Sequence, residues 1–204
     1  MPVLPVPVCW PVSSTRPSES SRLEQEGEVV KELAKAFGKS LRWLYNLPEE
    51  EEGDFIEEEV DITKWNGIGV SDGKVVRIDW YDEDLTGVIP DFISKLNGLT
   101  YLFLGDNDIS GDIPVSLGRL VNLRQLNLCR NRLTGSVPKS FKMLRKLEEM
   151  GLYNNDMESG TPGYLGGEGL REYLNGLGGG RNEGEGRFER RNKGNWRNWS
   201  KDVN

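Results

Sequence analysis

The sequence predicts an α/β solenoid of about four 24-residue coils, with a parallel sheet on the concave face and a helical cap at the N-terminal end. Three observations predict it. Val75, Leu99, Leu123 and Leu147 fall 24 residues apart, and each opens nearly the same phrase. The phrase holds a short alternation of apolar and polar residues, which is the pattern of a half-buried strand. An amphipathic stretch then precedes the first copy and supplies what an open solenoid end needs, a cover for its core.

Residues 1–27 are rich in Pro, Ser and Glu and are expected to be disordered. The next unit, 28–72, is read as a cap. Val30, Leu33, Phe37, Leu41 and Leu44 recur at spacings of three and four, which predicts a helix over 28–47 that Pro48 ends. Residues 49–61 carry nine acids and no base. A solvated loop accounts for that run better than a metal or basic-partner site.

Residues 73–164 hold the coils. The second copy runs Leu99, Leu102, Leu104, Asn107, Ile109, Gly111, Ile113, Pro114, and the third Leu123, Leu126, Leu128, Asn131, Leu133, Gly135, Val137, Pro138. The first keeps Val75, Ile78, Trp80, Leu85, Gly87, Ile89 and Pro90. The fourth keeps Leu147, Met150, Leu152, Asn155, Met157 and Pro162. Leu102 and Leu104 should point inward, with Tyr101, Phe103 and Gly105 outward. The recurring Asn sits where the chain leaves the strand, and its amide can both donate to and accept from turn backbone. Glu83 takes that place in the first coil and lacks the amide's donor. Trp80 is expected to be core, beneath the cap helix. Phe92, Leu117 or Phe141, then Leu96, Leu120 or Leu144, should anchor a short helical return on the convex side.

The pattern Leu-x-x-Leu-x-Leu-x-x-Asn-x-Leu-x-Gly-x-Ile-Pro resembles the plant-type leucine-rich repeat, over roughly residues 65–164. Trp65-Asn-Gly67-Ile68-Gly-Val70 resembles the "W-x-G-V" signature ahead of the first repeat, and Leu41–Asn46 resembles the end of the N-terminal cap helix. The resemblance implies recognition of a protein or peptide on the concave face. Secreted members of that type usually carry a cysteine pair around the "W-x-G-V" segment. Here Thr63 or its neighbours and Val70 stand at the matching places, so that disulfide is absent.

After Pro162 the repeat decays. Leu170, Tyr173, Leu174 and Leu177 predict a short amphipathic capping helix within 165–178, and residues 179–204, rich in Gly, Arg and Asn, are expected to be disordered. In that tail Gly194-Asn-Trp196-Arg-Asn-Trp199 resembles the Gly-x-x-Trp…Trp stretch that the N-terminal cap lacks. A tail folding back, the start of a second cap in a longer protein, and coincidence all remain open.

The chain has 204 residues, a formal charge of −7, two cysteines and no histidine. Without histidine the commonest general base and metal ligand are missing. No transmembrane run, signal sequence or kinase motif is evident, and a cytoplasmic location is expected, or a secreted one if the N-terminus is misassigned. No catalytic, metal or cofactor site is assigned. Nucleic-acid binding is disfavoured by the acidic charge, and the oligomeric state is left open.

The expected partner-binding residues are the outward positions of the concave sheet: Arg77, Asp79, Tyr81, Tyr101, Phe103, Gln125, Asn127, Arg130, Glu149 and Tyr153. Tyr81, Tyr101 and Phe103 should form an exposed aromatic cluster, the kind of surface where binding energy concentrates. The function expected is a non-catalytic protein-interaction module. The alternative is a fragment of a larger leucine-rich repeat signalling protein, such as a receptor-like kinase.

Overall fold

The computed structural model describes residues 19–47 and 61–177. The acidic run, apart from Asp61, and the Trp196/Trp199 tail lie outside the described residues. So do the disorder expectations for the two termini, apart from 19–27.

The first helix, α1 (Glu19–Ala36), starts nine residues before the expected 28 and stops eleven before the expected 47. Gly38, at φ 77°, takes the left-handed turn that ends many helices. Ser40 then caps a separate short helix, α2 (Leu41–Leu44), by accepting from Trp43 N–H. The apolar stripe runs on through both because the chain turns without leaving the core: Val30, Leu33, Phe37 and Leu44 are all fully buried. The early start escaped the apolar pattern because its core-facing residue is Glu26. That carboxylate, 5% exposed, accepts the Val75 backbone N–H at 2.6 Å and so binds the cap to the first coil.

A hairpin follows, of β1 (Ile68–Ser71) antiparallel to β2 (Lys74–Asp79). Gly67, at φ 64°, lets the chain pass so close to this hairpin that a Cβ there would sit 2.1 Å from the Asp79 carbonyl oxygen. Then β2, β3 (Tyr101–Phe103), β5 (Gln125–Asn127) and β7 (Glu149–Gly151) stack in parallel, one per coil. Between β3 and β5 lies β4 (Ser110–Asp112). It pairs in parallel with β6 (Arg132–Thr134), from the next coil, to form a second small sheet. At and beside this second sheet Gly87, Gly111 and Gly135 stand 24 residues apart at φ 84°, 76° and 66°, a column only glycine occupies without strain.

The first three coils each return through one 3₁₀ turn: Asp91–Lys95, Val115–Arg119 and Lys139–Met143. Their buried anchors are Ile93, Leu117 and Phe141, spaced by 24. Phe92, expected in that role, lies one position out of register and is only partly buried.

At the far end the chain forms a strand absent from the sequence expectation, β8 (Tyr164–Gly166), antiparallel to β7. Helix α3 (Gly167–Gly176) follows and buries Leu170 and Leu174 against the last coil. The six-stranded sheet is therefore closed at each end by an antiparallel strand.

The Asn ladder holds the coils together. Asn107 Oδ1 accepts from Glu83 N–H (3.1 Å) and Leu85 N–H (2.8 Å), and its Nδ2 donates to the Trp80 carbonyl (2.8 Å). Asn131 accepts from Ile109 N–H (3.0 Å) and donates to the Leu104 carbonyl (2.8 Å). Asn155 does the same for Leu133 N–H and the Leu128 carbonyl. Each amide thus serves the coil before its own. The first coil needs no Asn of its own, because Asn107 reaches back to it. Glu83 instead accepts from Trp43 Nε1 at 3.1 Å. Trp80 is fully buried under the cap, edge-on to Phe37 and Trp43 at centroid distances of 6.3 and 5.3 Å.

Two consequences are measurable. Asn131→Ala leaves Ile109 N–H without its partner and takes from the Leu104 carbonyl one of two donors, Asn107 Nδ2 being the other, and should cost roughly 1–3 kcal/mol; urea unfolding showing no change would exclude a ladder bond there. Burial holds the Glu26 carboxyl above its ordinary 4.5, against the pull of the Val75 hydrogen bond and of Lys74 and Arg22. Its contribution to stability is therefore full below about 4.5 and is lost as pH rises through the folded-state value. Glu26→Gln, whose amide oxygen can still accept from Val75, should remove that part of the melting temperature's pH dependence. Superimposable profiles for the two proteins would contradict it.

Candidate interaction surface

Parallel register converts the 24-residue repeat into rows of side chains. Arg77, Tyr101, Gln125 and Glu149 align across β2, β3, β5 and β7, and so do Asp79, Phe103, Asn127 and Gly151. The ladder continues past the strand ends through Asp82 N–H to Gly105 O, Asp106 N–H to Cys129 O and Arg130 N–H to Tyr153 O, at 2.8–3.0 Å. Tyr81, Gly105, Cys129 and Tyr153 thus form a third row, and Asp82, Asp106, Arg130 and Asn154 a fourth.

The structure brings all ten expected residues onto this surface, but in different environments. Phe103 does not form an exposed cluster: it is 7% exposed. The Arg77 guanidinium lies 5.2 Å from its ring centroid and 5.9 Å from that of Tyr101, and is held there by Asp79 at 2.7 Å. Gln125 and Asn127 are also buried, at 8% and 1%. Asn127 fits because Gly105 has no side chain; a Cβ there would stand 2.8 Å from Asn127 Oδ1. The Asn127 amide oxygen is taken by the Cys129 N–H and thiol. These three residues shape the floor. Arg77, Asp79, Tyr81, Tyr101, Glu149 and Tyr153 are half-buried, and Arg130 is exposed.

Asp106 links two of the rows. It accepts from the Tyr81 hydroxyl and pairs with Arg130 at 3.1 Å. Burial first, and then this carboxylate, push the Tyr81 hydroxyl up to about 12. Burial also raises Tyr153, with the Cys129 thiol next in effect. Glu149 is raised by burial and then by its neighbour Glu148. The whole fourth row is left-handed, with φ of 58°, 58°, 54° and 55°. Asp and Asn tolerate that conformation, whereas an arginine there sits against its backbone preference by about 1 kcal/mol.

Asp106 and Tyr164 were not among the expected residues. Asp106 was legible as the opposite charge exactly one repeat before Arg130. Tyr164 was not, because an antiparallel strand leaves no trace in a 24-residue period. Tyr164 stands opposite Gly151 across the β7–β8 pair, at the edge of the same sheet, and its hydroxyl is raised by burial and then by the charge of Glu149. Among the described residues no group of three or more His, Cys, Asp or Glu could hold a metal ion, and no helix is long and apolar enough to cross a membrane.

Residues 81–133 and 97–157 match the leucine rich repeat family model. The chain carries a leucine-rich repeat solenoid. Among solved structures it is similar to PEPR1 in the PEPR1-AtPEP1 crystal structure, at 24% identity and a TM-score of 0.56, over 66% of this chain and 18% of that one. It is also similar to the LRR ectodomain of the receptor kinase SOBIR1 from Arabidopsis thaliana, at 20% identity, a TM-score of 0.49 and 69% of each chain. A third is in the BIR3-SERK2 complex from Arabidopsis thaliana, at 24% identity and a TM-score of 0.45, over 57% of this chain and 68% of that one. This chain thus spans under a fifth of the PEPR1 chain. No curated protein matches it.

Cys129 is 1% exposed, and burial pushes its thiol up to about 11. In a Cys9→Ser background it should resist a thiol reagent at neutral pH and react fully once the protein is unfolded. Fast modification of the native protein would show that the concave floor opens.

Proposed function

We propose that the chain is a protein-interaction module without catalysis of its own, and that it recognises a protein or peptide along the concave sheet. The supporting observation is one continuous surface across four coils, carrying Tyr81, Tyr101, Arg130, Glu149 and Tyr153 around a rigid floor. Tyrosine and arginine are the residues in which interfaces concentrate binding energy. Rows fixed by a covalent repeat lose little entropy on binding. Arg130 supports the reading further, since the same row holds Asp or Asn in every other coil and the arginine occupies a conformation it disfavours. The PEPR1 neighbour was solved as PEPR1-AtPEP1; the proposal extends partner binding to this chain.

A second reading takes the solenoid as one part of a longer signalling protein such as a receptor-like kinase. The 18% coverage of the PEPR1 chain favours it. The cytoplasmic location expected from the sequence finds no support among these neighbours, one of which is named an ectodomain, and a secreted form is the alternative proposal. Sequencing both ends of the natural transcript separates these readings: a secretory signal upstream and a kinase downstream would establish the longer protein.

The test of the concave site is selection of binders from a random peptide display library, followed by isothermal titration of the enriched peptides. Arg130→Asn should keep the fold, because Asn accepts the left-handed backbone, and should weaken binding roughly tenfold, the effect of losing about 1.4 kcal/mol. Lys142→Glu on the convex return should leave affinity unchanged. Equal affinities for all three proteins, or loss only in the convex variant, would refute a concave site.

A further inference from the structure

A groove of about 770 Å³ lies between α1 and the first convex return, and none of its residues belongs to the concave rows. Its two walls contribute matching groups. From α1 come Val29, Arg22 and Gln25; from the return and the residues just after it come Phe92, Lys95 and Asn97. Arg22, Gln25 and Val29 follow spacings of three and four, so they share one stripe of the helix. Val29 and Phe92 form the apolar centre and are only half-buried, although they pack against the core. Phe92 is particular to this coil: the places 24 and 48 residues later hold Ser116 and Ser140. A half-exposed aromatic thus stands where the next two coils have a small hydroxyl.

The acids and the cations of the groove differ in what they already hold. Glu28 is paired with Lys31 at 2.9 Å and Glu32 with Lys35 at 3.1 Å, each about one turn along α1. Glu26 turns inward to accept the Val75 N–H, and Arg22 acts on that carboxylate only through space, as the smallest of its influences. Arg22 and Lys95, one on each wall, make no ion pair or side-chain hydrogen bond among the described residues. An apolar centre beside two uncommitted cations selects a ligand with an apolar body and a negative charge. Its size selects a small molecule. The volume falls within the roughly 300–1,000 Å³ of small-molecule sites. From Arg22 to Glu32 the helix advances about 15 Å. A strip of that length falls well short of the roughly 800 Å² that each partner buries in a standard protein interface.

We propose that the groove is a binding site for a small amphiphilic organic anion, whose flat apolar body lies between Val29 and Phe92 and whose acid group meets Arg22 and Lys95. Gln25 and Asn97 carry amide donors that suit the oxygens of the same acid group. Such a ligand bridges α1 and the first coil, so it adds to the Glu26–Val75 bond in holding the cap on the stack. The site stands apart from the concave surface and does not rest on the reading given to that surface.

The test titrates the full chain with two fluorescent probes: anilinonaphthalene sulfonate, and phenylnaphthylamine, the same body without the sulfonate. The sulfonate should bind at one saturable site and more tightly than the neutral probe. Arg22→Gln and Lys95→Gln should each weaken the sulfonate roughly two- to fivefold, the size of a partly exposed ion pair, and leave the neutral probe unchanged. Phe92→Ser, which installs the residue of the next two coils, should weaken both probes. Lys95 is exposed, so its variant keeps the comparison valid even if Phe92→Ser disturbs the cap. Amide shifts of a ¹⁵N-labelled chain locate the site without relying on fluorescence: with the sulfonate they should centre on Arg22–Glu32 and Phe92–Asn97. Equal affinity for the two probes, or sulfonate affinity that survives both charge removals, would overturn the proposal. So would shifts centred on the concave strands, or saturable binding of neither probe. Shifts at the groove that follow protein concentration without any probe would also overturn it, since a second copy would then be the occupant.

Discussion

The structure depends on one hydrogen-bonding constraint: backbone groups buried where each strand turns into the next segment need partners. The strand-to-turn segments have no helical ladder to supply them internally. Asn107, Asn131 and Asn155 solve this one coil at a time, each with an amide that accepts from a backbone N–H and donates to carbonyls on both sides of the coil boundary. An acid would lack the donor and a hydroxyl the reach. Because each bond joins neighbouring coils, the ladder fixes the register of the strands, and that register sets the rows of the concave face.

The ends of the stack pose the opposite problem, since a repeat always leaves one core face and one strand edge bare. At the N-terminal end, Phe37 and Trp43 cover Trp80, and β1 pairs with the exposed edge of β2. Glu26 adds a polar bond inside this seam, at the cost of desolvating a carboxylate. At the other end β8 and α3 do both jobs with a few residues. Closing both edges antiparallel removes the template on which parallel stacking with another chain would otherwise propagate.

Between these ends the concave surface is stiff and largely self-paired. Arg77 is held by Asp79, Arg130 by Asp106, and Tyr81 by the same Asp106. These side chains are held in place by their own neighbours before any partner arrives. Among the aromatic groups Phe103 lies beneath Arg77, and the Tyr81 hydroxyl is held by Asp106.

By itself the sequence determined the period, the inward and outward positions of the strands, the Asn ladder and the core place of Trp80, because a 24-residue repeat with alternating polarity writes these directly into residue order. It also named the ten concave residues, since register follows from the period. Only the tertiary structure decided which of them stay open to solvent. Phe103, Gln125 and Asn127 face outward by pattern, yet Arg77 and the neighbouring coils cover them, and burial by a residue 26 positions away is invisible to a local pattern. The same limit hid Glu26, a polar residue that packs inward to satisfy one backbone N–H, the break at Gly38, and β8, whose antiparallel pairing comes from closing an edge and not from any repeat.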